Sequence, residues 1–247
     1  MISFKDIHKA FGPKQILRGV SFDVSDGEVF FIIGASGVGK SVLIKHLIGL
    51  LAADRGEIWL DDVEVSRLTE TQMYDVRKRC AMVFQHSTLF DSLSCIENVA
   101  LPLRKHHALS QAEARERAFG YLEQVGMEGF SGSYPAELSD GLRKRVAIAR
   151  ALTLQPRYVL FDEPTTSLDP ISARRVDALI RQLSSQLGVT SVVVSHDLES
   201  ILSTADRIAM LYQGQLRLLG TPEEFRTTPD EVVQQFIQGR AEGPMEL

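Results

Sequence analysis

Short apolar runs alternate with longer amphipathic stretches along the chain. Residues 29–33 and 158–161 are continuously apolar, which predicts strands that are buried on both faces of a sheet. A further run at residues 190–194 predicts another such strand. Helices are predicted over residues 40–50, 111–125, 140–154 and 172–187. This alternation is typical of α/β proteins with a mainly parallel core sheet.

The pattern differs in two other stretches. Residues 90–155 lack strand signals and carry a capping box at Ser110 and Glu113, which predicts a helical subdomain of approximately these bounds. Residues 221–247 predict a C-terminal helical tail. Further strands are predicted over residues 2–7, 16–24, 57–60, 63–65 and 80–84, and a hairpin over 208–212 and 215–219. We expect one domain over residues 1–247.

Composition narrows the functional classes. A net charge of −5 argues against nucleic-acid binding, which usually needs a basic face. The two cysteines, Cys80 and Cys95, lack metal-site spacing and are expected to be reduced thiols. The longest apolar runs are shorter than the ~20 residues that a membrane helix needs. If the protein drives transport, we expect another subunit to supply the membrane path.

A glycine-rich motif follows the first buried run. Residues 34–41 read G-A-S-G-V-G-K-S, which matches the phosphate-binding pattern G-x-x-x-x-G-K-[S/T] between a strand and a helix. Glycines let backbone N–H groups turn toward phosphate oxygens, and the helix N-terminus adds positive charge. Lys40 is expected to reach the β- and γ-phosphates, and Ser41 to bind Mg²⁺. The predicted nucleotide-binding residues of this loop are Gly34, Ser36, Gly37, Val38, Gly39, Lys40 and Ser41.

Two acidic residues follow the second buried run. Asp162 is expected to hold Mg²⁺, and Glu163 to polarise the attacking water. A general base of this kind contributes roughly 10²–10⁴-fold to the rate. His196 follows residues 190–194 and is a candidate for contact with the γ-phosphate or the water.

The order of these motifs resembles that of the ATP-binding cassette (ABC) ATPases over nearly the whole chain. The resemblance implies a P-loop NTPase core with a mainly parallel sheet, an N-terminal antiparallel β subdomain and a helical subdomain. It makes Glu163 the catalytic glutamate, His196 the switch histidine, and Gln85 a residue that contacts Mg²⁺ and water. It also implies that Phe11 stacks on adenine and that Asp169 belongs to the D-loop.

In this family a signature segment, L-S-G-G-Q, binds the γ-phosphate of the ATP held by the other subunit. Residues 138–142 read L-S-D-G-L, so Ser139 and Gly141 are kept while Asp140 and Leu142 depart from the pattern. The resemblance therefore implies a homodimer with ATP and Mg²⁺ as ligands. Asp140 is expected to weaken phosphate binding unless its carboxylate points away. An alternative is a nucleotide-binding regulatory module with little hydrolysis.

The kind of transporter is indicated by resemblance alone. Residues 85–94, 97–103, 220–225, 235–239 and 241–244 are similar to ATPases of the Mla/Mce lipid-transport group. This implies a permease and an MCE-domain lipid-binding protein as partners, no nucleic acid, and a peripheral location on the cytoplasmic face of the bacterial inner membrane. The main alternative is a methionine-like amino-acid importer, whose ATPases share the Asn-Val-Ala-Leu-Pro run. An ABC protein that acts on ribosomes or DNA is disfavoured, because neither a second ATPase unit nor a coiled coil is evident.

Overall fold

The computed structural model describes residues 1–245, in which two β-sheets are surrounded by helices. The strands are β1 (Ile2–Phe11), β2 (Lys14–Val24), β3 (Val29–Ile33), β4 (Arg55–Leu60), β5 (Val63–Glu64), β6 (Cys80–Val83), β7 (Tyr158–Asp162), β8 (Thr190–Val194), β9 (Arg207–Tyr212) and β10 (Gln215–Gly220). The helices are α1 (Lys40–Leu47), α2 (Glu70–Arg79), α3 (Cys95–His107), α4 (Gln111–Gln124), α5 (Asp140–Leu152), α6 (Pro170–Leu187), α7 (Leu198–Thr204), α8 (Pro222–Thr227) and α9 (Glu231–Ile237). None of the helices in this part of the chain combines the length and apolar character required to cross a membrane.

A six-stranded sheet forms the centre of the molecule, with the strand order β10-β9-β3-β8-β7-β6. All its neighbouring strands run parallel except β10, which forms an antiparallel hairpin with β9. The prediction of a mainly parallel core sheet is therefore confirmed. Because parallel strands end at the same edge, the residues that follow β3, β7 and β8 lie close together.

The strands β3, β7 and β8 are buried on both faces, as their apolar runs predict. Along β3, Phe31 packs into a core formed with α3 to α6, whereas Phe30 and Ile32 pack into a second core with α1, α2 and the other sheet. Alternate side chains of a strand point to opposite faces, so one apolar run supplies both cores. Helices α3 to α6 thus cover one face of the central sheet. Helices α1 and α2 and the second sheet pack on its opposite face.

The second sheet is antiparallel, with the strand order β2-β1-β4-β5. Val65, which was predicted to extend the last strand, instead begins a short 3₁₀ turn. The helix predicted over residues 40–50 ends at Leu47, because Gly49 adopts a left-handed conformation with φ of 66°. The helix predicted over residues 140–154 ends at Leu152. The last two residues of the predicted tail lie outside the described residues.

Helices α3, α4 and α5 contact one another and fill most of residues 90–155. This is the stretch that lacked strand signals, and the observed helices agree with that pattern. Its division from the rest of the chain as a subdomain stays a prediction.

Candidate nucleotide-binding site

The loop between β3 and α1 bends sharply and leaves backbone N–H groups at the start of a helix. Gly34 and Gly39 have φ angles of 140° and 109°, which side chains other than hydrogen rarely allow. A Cβ on Gly34 would lie 2.3 Å from the carbonyl oxygen of Leu211, and one on Gly39 would lie 2.7 Å from the Leu17 side chain. Gly34 is therefore required by packing against backbone as well as by its own conformation, and Gly39 mainly by its conformation.

Lys40 begins α1 and folds back over the loop that precedes it. Its Nζ donates to the carbonyl oxygens of Gly34 at 2.8 Å and Ala35 at 3.1 Å. Burial lowers the pKa of this ammonium group, and the carboxylates of Glu163 and Asp162 oppose that change. A positive charge is thus held inside the phosphate-binding loop, where it can neutralise phosphate oxygens.

Ser41 lies beside Asp162 at the carboxyl edge of the central sheet. The Ser41 hydroxyl donates to Asp162 Oδ1 at 2.5 Å, and Lys45 Nζ lies 3.5 Å from Asp162 Oδ2. A hydroxyl and one carboxylate are oxygen ligands suited to Mg²⁺, which usually keeps several waters and binds substrate phosphates. Residues 1–245 contain no group of three or more His, Cys, Asp or Glu side chains suited to a metal ion. The residues present therefore fit Mg²⁺ held jointly with phosphate, rather than a closed metal site.

Glu163 and His196 follow the neighbouring strands β7 and β8 and meet at this edge. Glu163 Oε2 lies 2.8 Å from His196 Nδ1 and also accepts from the Thr166 hydroxyl at 3.1 Å. Glu163 has a φ of 50°, which is uncommon for a residue with a side chain, and its N–H donates to the carbonyl oxygen of Val194 at 2.9 Å. This conformation is typical of residues whose position serves function.

A cavity of about 310 Å³ joins these groups. Of the predicted residues, it is lined by Phe11, Ser36, Gly37, Gly39, Lys40, Ser41, Gln85, Glu163 and His196. Gly34 starts the loop, and Asp162 contacts the cavity through Ser41. Phe11 is 47% exposed, with Lys9 Nζ 5.4 Å from its ring centroid, so part of the ring is open to another planar group.

Ser139, Gly141 and Asp169 do not line this cavity. Ser139 caps α5 by accepting from the N–H of Leu142 at 3.4 Å, and Asp169 caps α6. A Cβ on Gly141 would lie 2.8 Å from the Ser172 side chain, so only glycine fits between α5 and α6. The predicted roles of these residues toward a second chain's ATP stay predictions.

Three side chains that support the site were not predicted from the sequence. Lys45 lies one helical turn after Ser41, a spacing that placed it on the same helix face. Thr166 contacts Glu163 from the turn that follows β7. Lys144 donates to the carbonyl oxygens of Phe84 and Gln85, and burial lowers its pKa to about 8. No local pattern pointed to Lys144, because its partners are distant in sequence.

A phosphate loop at the carboxyl edge of a parallel sheet, with an acidic pair after a neighbouring strand, defines a P-loop nucleoside triphosphatase. The chain belongs to the ABC transporter family, whose model matches residues 17–166. It is therefore an ATP-binding and ATP-hydrolysing chain of that family, with ATP as its nucleotide.

The chain is similar to several proteins over nearly its whole length. It is 38% identical over 245 residues to "Intermembrane phospholipid transport system ATP-binding protein MlaF" of Haemophilus influenzae, covering 99% of this chain and 93% of that one. The protein of the same name from Escherichia coli K12 is 37% identical, with 99% and 91% covered. "Probable ribonucleotide transport ATP-binding protein mkl" of Mycobacterium leprae is 36% identical, with 99% and 70% covered.

A solved structure gives the same fold. The dimeric post-hydrolysis state of the ATP-binding cassette MJ0796 bound to ADP and Pi superposes with a TM-score of 0.82 at 32% identity. The match covers 90% of this chain and 99% of that one.

Proposed function

We propose that this chain hydrolyses ATP to drive phospholipid transport, as one of two identical subunits bound to a membrane permease. The observation that carries the cargo assignment is the similarity to MlaF, which spans 99% of this chain and 93% of the Haemophilus protein. The mkl protein has nearly the same identity, but only 70% of its length is covered. Phospholipid is therefore the favoured cargo.

The cavity residues divide the work on ATP. The backbone N–H groups at the start of α1 and the Lys40 ammonium bind the β- and γ-phosphates, while Phe11 stacks on the base. Ser41, Asp162 and Gln85 would hold Mg²⁺, which would neutralise charge on the phosphate oxygens. These contacts place the γ-phosphate near the Glu163 carboxylate.

Glu163 is the group that accepts the proton of the attacking water. Its side chain is only 13% exposed, and a carboxylate shielded from bulk water interacts more strongly with a nearby proton donor. His196, which is 2.8 Å from Glu163, orients that carboxylate and contacts the γ-phosphate. Glu163, which polarises the water, is thus held in position by His196, which follows β8, and by Thr166 in the turn after β7.

A second copy completes the site. Ser139 and Gly141 lie outside the cavity of their own chain, and the exposed Ser139 is free to face the ATP of the other copy. The MJ0796 cassette, which is described as dimeric with ADP and Pi, supports this arrangement. ATP-driven closure of the pair then moves the attached permease, and an MCE-domain protein delivers or receives the lipid. The complex lies on the cytoplasmic face of the bacterial inner membrane.

Affinity purification of the chain from its native membranes, with mass spectrometry of proteins and lipids, tests this assignment. We expect a permease, an MCE-domain protein and bound phospholipid. Recovery of a different permease with a small-solute-binding protein would overturn the cargo, while the ATPase mechanism would stand.

A matched control separates specific lipid from membrane carry-over. Lys40→Met should retain the partners but bind ATP much more weakly, so the two complexes are compared at an ATP concentration that occupies only the wild type. In the wild-type complex, ATP should change the amount of bound phospholipid, whereas in the variant it should not. An equal response of both complexes would contradict coupling between this cavity and the lipid.

A further inference from the structure

Lys144 is an unusually buried charged residue on α5. Only 2% of it is exposed, and no carboxylate within the described chain lies within ion-pair distance of its ammonium group. Nζ instead donates to two consecutive backbone carbonyl oxygens, those of Phe84 at 2.9 Å and Gln85 at 2.7 Å. A buried ammonium is costly unless it is hydrogen-bonded, so these two contacts are what keep the charge in place.

Residues 85–88 are held by α5 at a second point. Arg150, further along α5, donates to the carbonyl oxygen of Thr88 at 2.9 Å and to its hydroxyl at 3.1 Å. Apart from strand pairing, no backbone–backbone hydrogen bond of the described chain involves residues 85–88. The position of this segment is therefore set largely by two cations of α5.

The hydrogen bond between Lys144 and Gln85 links two parts of the protein with different expected functions. Gln85 lines the nucleotide cavity, whereas α5 begins directly after Ser139, the residue expected to face the second copy's ATP. Helix α5 is a rigid element, so a bond from Lys144 to Gln85 relates the positions of Gln85 and Ser139. Arg150 also ties residues 85–88 to α5, but it does so at Ser87 and Thr88 and not at Gln85.

We propose that Lys144 is a positioning residue that fixes Gln85 relative to α5, so that the chain's own nucleotide cavity and its signature residues move together. The proposal rests on the ATPase function proposed above. An ammonium suits this role because it supplies three donors from one atom and reaches both carbonyls at once. An uncharged side chain of the same length would leave two carbonyls without their donor.

Lys144→Met tests the proposal because it keeps the length of the side chain and removes the donor. We expect kcat for ATP to fall roughly tenfold to a hundredfold, since a misplacement of about 1 Å at a site can cost that much. The Kd for ATP should stay within about twofold, because the phosphate loop itself is untouched. Lys144→Arg should recover part of kcat, because a guanidinium can still donate to both carbonyls.

Arg145→Met is the matched control. Arg145 is the next residue of α5 and also donates to two backbone carbonyl oxygens, those of Val125 and Gly126 at 3.2 Å each, which lie at the end of α4. This variant should reduce kcat far less than Lys144→Met. Equal losses of kcat would mean that any hydrogen bond holding α5 in place matters equally, and would overturn the proposal.

A double variant separates positioning of Gln85 from general damage. If Lys144 acts through Gln85, Lys144→Met should add almost nothing to the loss of kcat caused by Gln85→Ala. Additive losses would contradict the proposal.

Amide hydrogen exchange tests the link without any hydrolysis. Peptides that cover residues 84–94 should exchange faster in Lys144→Met than in the wild type. Their exchange rate in Arg145→Met should equal that of the wild type. If the wild type fails to hydrolyse ATP, the proposed function fails, and this exchange result still decides the link. Unchanged exchange in Lys144→Met would overturn the link even in an active enzyme.

Discussion

Two helices of this protein begin at segments expected to bind phosphate, and their N-termini differ. Helix α1 begins after Gly39, which offers no side-chain cap, so its first N–H groups stay available to a ligand. Helix α5 begins after Ser139, whose hydroxyl accepts from the N–H of Leu142 and so occupies one of those groups. The first start therefore suits tight phosphate binding, whereas the role proposed for the second is a contact that forms only with another chain's ATP.

The charges at the starts of α1 and α5 also differ, and they too favour phosphate more strongly at α1. At α1 a buried lysine lies against the loop carbonyls. At α5 Asp140 places a carboxylate in the first turn, where it accepts from Arg143 at 2.6 Å. That ion pair directs the negative charge toward the protein's own arginine. It should therefore reduce the repulsion expected between Asp140 and a bound phosphate.

Glu163→Gln should have the largest effect. Loss of the general base should lower kcat roughly 10²–10⁴-fold, while ATP affinity stays close to the wild-type value, because the phosphate contacts remain. Steady-state ATPase assays and nucleotide titration measure the two quantities. The variant should also accumulate as an ATP-bound dimer in size-exclusion chromatography. A variant that binds ATP but never dimerises, where a known cassette does, would contradict the two-copy site.

Lys40→Met should weaken ATP binding by roughly 2–5 kcal/mol, which corresponds to about thirtyfold or more. The reason is that a buried positive charge is lost from the phosphate-binding loop. Isothermal titration measures the Kd. Lys45→Met is the control, since Lys45 lies one turn later and contacts Asp162 instead of the loop carbonyls. A similar loss in both variants would show that general positive charge, rather than the loop geometry, binds the nucleotide.

Ser139→Ala should weaken ATP-driven dimerisation about tenfold to a hundredfold, because one hydrogen bond to a charged group is worth roughly 1.5–3 kcal/mol. ATP binding to the single chain should not change. Ser110→Ala is the matched control, since Ser110 caps α4 in the same way through the N–H of Glu113. Both variants should lose about 1 kcal/mol of stability in denaturant unfolding, as expected for a helix cap. If Ser110→Ala impairs dimerisation equally, the signature role of Ser139 is wrong.

Asp140→Asn should have the smallest effect. Removing the charge should lower the ATP concentration for half-maximal dimerisation by about two- to fivefold, the scale of charge effects at a helix N-terminus. Asp75→Asn is the control, since Asp75 forms an equivalent exposed pair with Lys78 on α2. A shift larger than tenfold would mean that the Asp140 carboxylate faces the phosphate despite its bond to Arg143.

Much of the fold was predictable because its signals are local. The apolar runs of β3, β7 and β8 predicted their burial, and glycine spacing predicted the phosphate loop. Helix α2 was missed although Thr69 and Gln72 form a capping box, because only Met73 and Val76 of this helix are buried and the apolar period is weak. Helix α3 was likewise assigned only to a helical stretch, despite the box formed by Ser94 and Glu97.

The sequence alone determined the parts of the site whose residues are adjacent in the chain, namely the phosphate loop and the acidic pair after β7. Their chemistry depends on spacing within a strand, turn or helix, which short-range backbone geometry dictates. The tertiary structure decided which distant groups meet: Glu163 with His196, Ser41 with Asp162, and Lys144 with the carbonyls of residues 84 and 85. Strand order and helix packing set those distances, because they depend on how the two cores bury apolar surface and not on any spacing along the chain.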